Sequence, residues 1–359
     1  MKKICIICPH PEGVAPGQRL KYEQYFSHWR ENGWQVDVFP FQSYRFWEIA
    51  QNGNILEKVF WTFVGYFHRF LFLFQLRNYD IAYIFLWVTP FGPPFFEWIY
   101  CKLARKVIFD IDDLVFLGHA SKANSWVSKL KGKNKPIYLM KKANHIITTT
   151  PFLINYCKKY SDLVTGIPPT VDETRIYPKE KVRNKKLVIG WSGSHSTLKY
   201  LKIIEQSLQR LAEKYEFEFL VFGVDKYEID NIFTRSVVWS EKIENTIFNE
   251  FDIAVYPLEI ELWSEGKYGG KMIQYFAAGL PMIVSNANDL IPSIVRNLEN
   301  GILVNNSETD WYNALEYLIQ DKTLRNKIAV NARKTFEFQF SIDANKDKYL
   351  EILNSVASN

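Results

Sequence analysis

The sequence is poor in the residues that staple or metallate small folds: it holds four cysteines and six histidines among 359 residues. So few cysteines exclude a disulfide framework and point to a reducing compartment. Cys5 and Cys8 form a C-x2-C within "KKICIICP", but residues three apart on a strand face opposite sides. No second cysteine pair completes a zinc set, so both thiols read as core. The N-terminal apolar run ends after five residues at Pro9-His10-Pro11, too short for a signal peptide, and the expected location is the cytoplasm. A formal charge of +5 without a concentrated basic stripe excludes a dedicated nucleic-acid binder. Such a mild positive balance suits anionic small ligands or an anionic membrane surface.

What the chain has in quantity is apolar surface. Hydrophobic content of 47% and aromatic content of 16% are enough for two packed cores, and the length itself favours two domains. Strand-length apolar runs alternate with helical patterns. "KICIIC", "WQVDVFPF", "YDIAYIFLW", "KVIFDIDDLVF" and "ANHIITTT" read as strands of a first half, with helices at about 19–32 and 95–105. "ANHIITTT" is expected to be the last of them. The pattern weakens over 166–186, which holds three prolines and many charges. A second strand–helix series opens at "LVIGWSG", with a helix over about 197–214, and continues through "FEFLVFG", "SVVWS", "DIAVYPL", "PMIVS" and "GILVN". Alternation of this kind gives parallel sheets covered by helices. The expectation is α/β, two doubly wound Rossmann-like domains: 1–170, 171–340, and a closing helix in 341–359.

Residues 55–78, "ILEKVFWTFVGYFHRFLFLFQLRN", place Leu56, Phe60, Phe63, Phe67, Phe70 and Phe74 at helical spacing. His68 and Arg69 interrupt the run, so it is too short to span a bilayer. Two readings stand: a core helix, or one whose aromatic face dips into an anionic membrane interface while Lys58, His68, Arg69 and Arg77 meet headgroups.

Candidate chemistry gathers at glycine-containing turns. In "SEGKYGGKMIQYFAAGLPMIVS", Gly269 and Gly270 precede a helix at 271–278 and are flanked by Lys267 and Lys271. A helix N-terminus presents unpaired N–H groups to anions, and glycine lets backbone approach a diphosphate. The same residues could merely shape a turn beside solvated lysines. "VIGWSGSHSTLKYL" repeats the arrangement, with Gly193 and Ser194 in the turn and Lys199 in the next helix. Both turns leave the carboxyl ends of parallel strands, where ligands sit in such sheets.

In the first half, "FDIDD" holds Asp110, Asp112 and Asp113. Such a cluster can hold a metal, bind hydroxyls of a second substrate or act as base, or cap a helix. Asp112 is the candidate catalytic group and Asp113 an acceptor-binding one. Gly17 and Arg19, in the loop "HPEGVAPGQRLKYEQY", join Asp113 as acceptor candidates. His10 and His119 are further candidate bases, with a structural role as the alternative.

Taken together, "GWSGSHSTLKYL", "FDIAVYPL" and "GKYGGKMIQYFAAGLPMIVS", with "FDIDD" upstream, resemble blocks of the retaining GT-B glycosyltransferases of the family 4 (group 1) type. The resemblance implies an acceptor-binding N-terminal domain and a donor-binding C-terminal domain facing across a cleft, with the final helix returning to the first. It implies a UDP- or GDP-linked sugar as co-substrate, no metal and no other cofactor. The acceptor it implies is a hydroxyl of a glycan or lipid-linked glycan, in surface polysaccharide synthesis on the inner face of the membrane. Lys199 falls on the pyrophosphate-binding lysine, and Gly269 on a backbone amide that supports the donor. The two glutamates usual in the family fall on Gly266 and Gln274. Glu265 is then the replacement acid against the sugar, Gln274 a ribose contact, and Lys271 or Lys267 the substitute for an arginine replaced by Ser194. A nucleotide-sugar epimerase of the same fold, or a donor-binding subunit without activity, remain alternatives.

Overall fold

The computed structural model describes residues 1–112, 114, 134–178 and 186–358. The chain divides into two compact units, Met1–Pro168 with Asn345–Asn359, and Pro169–Ala344.

The first unit is a six-stranded sheet in the order β2-β1-β3-β4-β5-β6, and every adjacent pair is parallel. Its strands are β1 (Lys2–Cys8), β2 (Trp34–Pro40), β3 (Ile81–Phe85), β4 (Val107–Asp110), β5 (His145–Thr148) and β6 (Val164–Gly166). β3 and β4 are buried along their whole length, which is why they read as unbroken apolar runs and not as alternations. Both thiols of the C-x2-C are buried in β1, and burial pushes the Cys8 thiol up to about 12. The short strand β6 extends the sheet beyond "ANHIITTT"; three half-buried residues carry too little pattern to announce a strand.

The helix expected over 19–32 is broken into Pro16–Arg19, a 3-10 turn at Glu23–Tyr25 and helix α1 (Phe26–Glu31). Helix α2 (Ile55–Phe72) opens with a full capping box on Asn54 and Glu57. It is followed by α3 (Phe95–Leu103), α4 (Asn134–Lys142) and, at the end of the chain, the helix Ile342–Ser358. Tyr349 of that last helix is fully buried, with ring centroids 4.9 Å from Tyr25 and 5.7 Å from Trp29.

The second unit orders its strands β12-β11-β10-β7-β8-β9, again with every neighbour parallel. They are β7 (Leu187–Ser192), β8 (Phe217–Phe222), β9 (Thr234–Val237), β10 (Ile253–Tyr256), β11 (Met282–Ser285) and β12 (Ile302–Val304). Counted from β7 this is the order 3-2-1-4-5-6, whose direction of growth reverses between β7 and β10. Loops that leave adjacent strand ends at such a reversal diverge and open a crevice for ligand. The helix expected over 197–214 is a 3-10 segment, Leu198–Ile203, followed by α5 (Glu205–Ala212). Helix α6 (Gly270–Ala277) links β10 to β11. Trp191, Phe219, Val255, Ile283, Trp311 and Leu315 belong to the core on one face of this sheet.

Candidate active site

The two glycine turns are built at that reversal point. β7 ends at Ser192, and the N–H of Gly193 donates to the Phe222 carbonyl at 2.8 Å. A Cβ on Gly193 would overlap the Trp191 indole, and one on Gly223 (φ +105°) would overlap the Gly193 carbonyl. Glycine at both places lets the ends of β7 and β8 press together. Thr197 then closes the turn: its Oγ1 accepts from the Ser194 N–H at 3.1 Å and donates to the Ser194 carbonyl at 3.1 Å.

The second turn starts from β10. The loop that follows is pinned from outside by Asn288, whose Nδ2 donates to the Ser264 carbonyl at 2.7 Å. Asn288 Oδ1 in turn accepts from the N–H groups of Leu290 and Ile291 at 3.1 and 3.0 Å. Gly269 caps α6 in the left-handed region (φ +86°), which only glycine adopts without strain. Among the described residues, and apart from the adjoining residues and the helix's own backbone, no heavy atom lies within 4 Å of where a Cβ would stand on Gly270, so there is room beside that backbone.

Three lysines meet between these turns. Lys271 Nζ lies 3.1 Å from Thr197 Oγ1 and 5.0 Å from the Trp191 ring centroid. Lys267 Nζ donates to the Tyr200 hydroxyl at 3.3 Å. Lys199 lies over the same tyrosine ring, 4.8 Å from its centroid, and pairs with Glu259 at 3.4 Å. Burial, and then the ammonium of Lys267, lower the pKa of Lys271 to about 7. Glu261 also lies at this cluster, 4.0 Å from Lys199 Nζ and accepting from the Tyr200 hydroxyl at 2.7 Å, whereas Lys271 is buried beside a second ammonium.

Lys199, Lys267, Lys271, Gly193, Ser194, Gly269 and Gly270 thus belong to one neighbourhood. Gln274 is buried, and its Nε2 donates to Glu244 Oε1 at 3.0 Å. Glu244 is an acid that spacing could not supply, 30 residues from Gln274. Glu265 is half-buried, and burial, with Asp289 nearby, raises its pKa. Trp191, Thr197, Tyr200 and Asn288 were not singled out in the sequence; aromatic residues in a strand–turn–helix pattern read as core.

In the first unit, Asp110 is fully buried and bonded to Lys21 Nζ and the Tyr83 hydroxyl. Burial raises its pKa, against the lowering effect of Lys21. Asp110 is committed to the core of that unit. Asp112 is half-exposed beside Gly17, where a Cβ would come 3.5 Å from its Oδ2. Arg19 ends the short helix after the first loop. His10 shares a 2.8 Å hydrogen bond with Gln42 and meets Trp47 edge-on at 4.8 Å; burial lowers its pKa. Asp113 and His119 lie outside the described residues.

Residues 186–321, almost all of the second unit's sheet and site, match the family model for glycosyl transferases group 1. Both units are parallel-sheet Rossmann-like domains, and the architecture is the GT-B fold. Among solved structures, sucrose-phosphate synthase from Thermosynechococcus elongatus superposes with a TM-score of 0.72 at 14% identity, over 100% of both chains. HepE from Anabaena, solved in complex with UDP and glucose, superposes with a TM-score of 0.65 at 14% identity, over 99% of this chain and 100% of its own. Among curated relatives, the capsular polysaccharide biosynthesis glycosyltransferase CapM of Staphylococcus aureus is 27% identical over 186 residues, 48% of this chain. The aligned part is 47% of CapM, so the chain spans about half the length of that relative.

Proposed function

We propose that the protein transfers a sugar from a nucleoside diphosphate to a hydroxyl of a glycan or lipid-linked glycan, with retention at the anomeric carbon and without a metal ion. The observation that carries this reading is the convergence of Lys199, Lys267 and Lys271 on the two glycine turns at the carboxyl ends of β7 and β10. The likeness to CapM supports a surface polysaccharide as the product, and the UDP complex of HepE supports UDP as the carrier.

The chemistry asks little of a protein nucleophile. The bond from the anomeric carbon to the diphosphate oxygen breaks, and the acceptor oxygen bonds to the same face of that carbon. The acceptor proton passes to the departing diphosphate. Negative charge grows on that diphosphate as the bond breaks, so fixed cations aimed at it stabilise the transition state more than the bound donor. Lys271 and Lys199 fill that role, with Lys267, Gly193, Ser194, Gly269 and Gly270 holding the donor. The charge a divalent ion would bring is supplied by the ammonium groups. Asp112, Asp113, Gly17 and Arg19 are assigned to the acceptor side, with Asp112 as the group that meets the acceptor hydroxyl.

Thermal unfolding with a panel of nucleotide sugars tests the reading, since a ligand at about 100 times its Kd adds roughly 2.7 kcal/mol to the folded state. A UDP- or GDP-linked sugar should raise Tm, and nucleoside diphosphate should then be released only when an acceptor glycan is added. Failure of every nucleotide to stabilise the protein would overturn the proposal. Conversion of donor with no acceptor present would indicate an epimerase instead.

A further inference from the structure

Helix α2 is built inside out. The positions it buries are Gly65, Arg69 and Phe72. Gly65 lets the helix lie against Phe41, whose ring a Cβ would approach to 2.7 Å. Arg69 is 2% exposed and donates to three main-chain carbonyls, of Val88, Phe39 and Cys8, at 2.8, 2.7 and 2.9 Å. These carbonyls follow or end β3, β2 and β1, so the guanidinium satisfies backbone groups at the rim of the sheet. The Arg69 carbonyl in turn accepts from the Tyr100 hydroxyl at 2.8 Å.

The opposite face is apolar and meets solvent. Leu56, Phe60, Phe63, Phe67, Phe70 and Phe74 are between 49% and 81% exposed. The neighbouring α3, reached through Tyr66 and Phe96, adds exposed Phe95 and Trp98. A soluble surface helix normally has the reverse polarity, and contiguous exposed apolar patches of this kind mark interaction surfaces.

Charge selects the occupant. The single carboxylate of residues 55–78, on Glu57, is folded back to the Asn54 N–H at 3.2 Å as part of the helix cap. On α3, Glu97 is buried 3.4 Å from Lys135 Nζ, while Lys102 is exposed. Lys58, His68, Arg77 and Lys102 are thus the basic groups of these segments still open to solvent. A second copy of the chain would bring the same cations together; an anionic surface with an apolar interior matches both features. Among the described residues no helix is long and apolar enough to cross a membrane, so the helix would lie along the surface.

We propose that α2 docks the first unit in the plane of an anionic lipid bilayer, with Phe60, Phe63, Phe67, Phe70 and Phe74 at the acyl–headgroup boundary and Lys58, Arg77 and Lys102 at lipid phosphates. The proposal is independent of the transfer chemistry, because it uses no residue of the lysine cluster.

Flotation of the full chain with vesicles tests it. Wild type should float with phosphatidylglycerol/phosphatidylcholine vesicles and much less with phosphatidylcholine alone. Phe63→Glu with Phe67→Glu should lower the bound fraction at least about tenfold, since two apolar rings at the acyl–headgroup boundary are replaced by carboxylates. Arg77→Glu with Lys102→Glu should weaken only the anionic binding. Both double variants change exposed side chains, so their melting temperatures and UDP binding should match wild type. Wild type remaining unbound, or a phenylalanine variant that floats as wild type does, would overturn the proposal. So would light scattering that shows a dimer which the phenylalanine variant dissociates, with no vesicle binding by either.

Discussion

The ammonium of Lys271 lies 3.1 Å from the hydroxyl oxygen of Thr197, a contact that ties the turn after β7 to the first turn of α6. The two residues are 74 positions apart. Their meeting brings two patterns that are weak singly into one neighbourhood.

The first prediction concerns pH. Lys271 holds its proton up to about 7 in the folded protein, against an ordinary value of 10.5. A bound diphosphate restores the charged form, so UDP binding at pH 8 should take up roughly one proton. Calorimetry in buffers of different ionisation enthalpy should measure that uptake in wild type and find almost none in Lys271→Met. The same shift has a sign for stability. Between about 7 and 10.5 Lys271 binds more protons in the unfolded chain than in the folded one, so its contribution to the stability of the ligand-free protein rises with pH across that window. Wild type should therefore gain stability relative to Lys271→Met as pH is raised through it.

Lys199→Ala should separate activity from stability. Its ion pair with Glu259 is largely exposed, and such pairs contribute about 0–1 kcal/mol. Melting should therefore stay close to wild type. Turnover with a matched donor should fall on the order of 10²–10³-fold, the cost of one missing contact to a developing oxyanion. Unchanged turnover would remove Lys199 from the site.

The glycines should not be equivalent. Gly269→Ala places a side chain at φ +86° with only ordinary contacts around it, a cost of about 1–2 kcal/mol. Gly223→Ala adds an overlap with the Gly193 carbonyl to its strained φ of +105°. Urea unfolding should show the larger loss for Gly223→Ala, together with weaker nucleotide binding, because the neighbouring turn must move.

Arg69 and Phe63 should behave opposite to their chemical types. Arg69→Met removes a donor from three carbonyls, of which that of Cys8 still accepts from the Phe41 N–H at 2.8 Å, and each charge-assisted bond contributes about 1.5–3 kcal/mol. Denaturant melts should show a loss of about 3 kcal/mol or more. Phe63→Ser, at a position 70% exposed, should stay within about 0.5 kcal/mol of wild type.

Much of this was legible in the residues themselves. Fully buried parallel strands such as β3 and β10 are continuous apolar runs, and their alternation with helices yields the two sheets. That Lys199, Lys267 and Lys271 would come near one another could be read because both glycine turns follow parallel strands of the same half. Other features could not be read, for identifiable reasons. Six residues cannot separate a 3-10 period of 3.0 from an α period of 3.6, so the segment Leu198–Ile203 looked α-helical. Periodicity finds the phenylalanine stripe of α2 but not which side faces the sheet; that is decided by Arg69 and carbonyls from three distant segments. Asp110 looked like a ligand because its partners, Lys21 and Tyr83, are 89 and 27 residues away. Glu244 reaches Gln274 only through the fold.

The central claim is that ammonium groups and backbone amides, not a divalent ion, hold the diphosphate. Titration of UDP into wild type and Lys271→Met, each with EDTA and with manganese, measures it directly. The account predicts that wild type binds equally well in EDTA and in manganese, and that Lys271→Met loses roughly 10²-fold in affinity, about 2.7 kcal/mol. Binding that appears only with manganese, or that survives Lys271→Met unchanged, would contradict it.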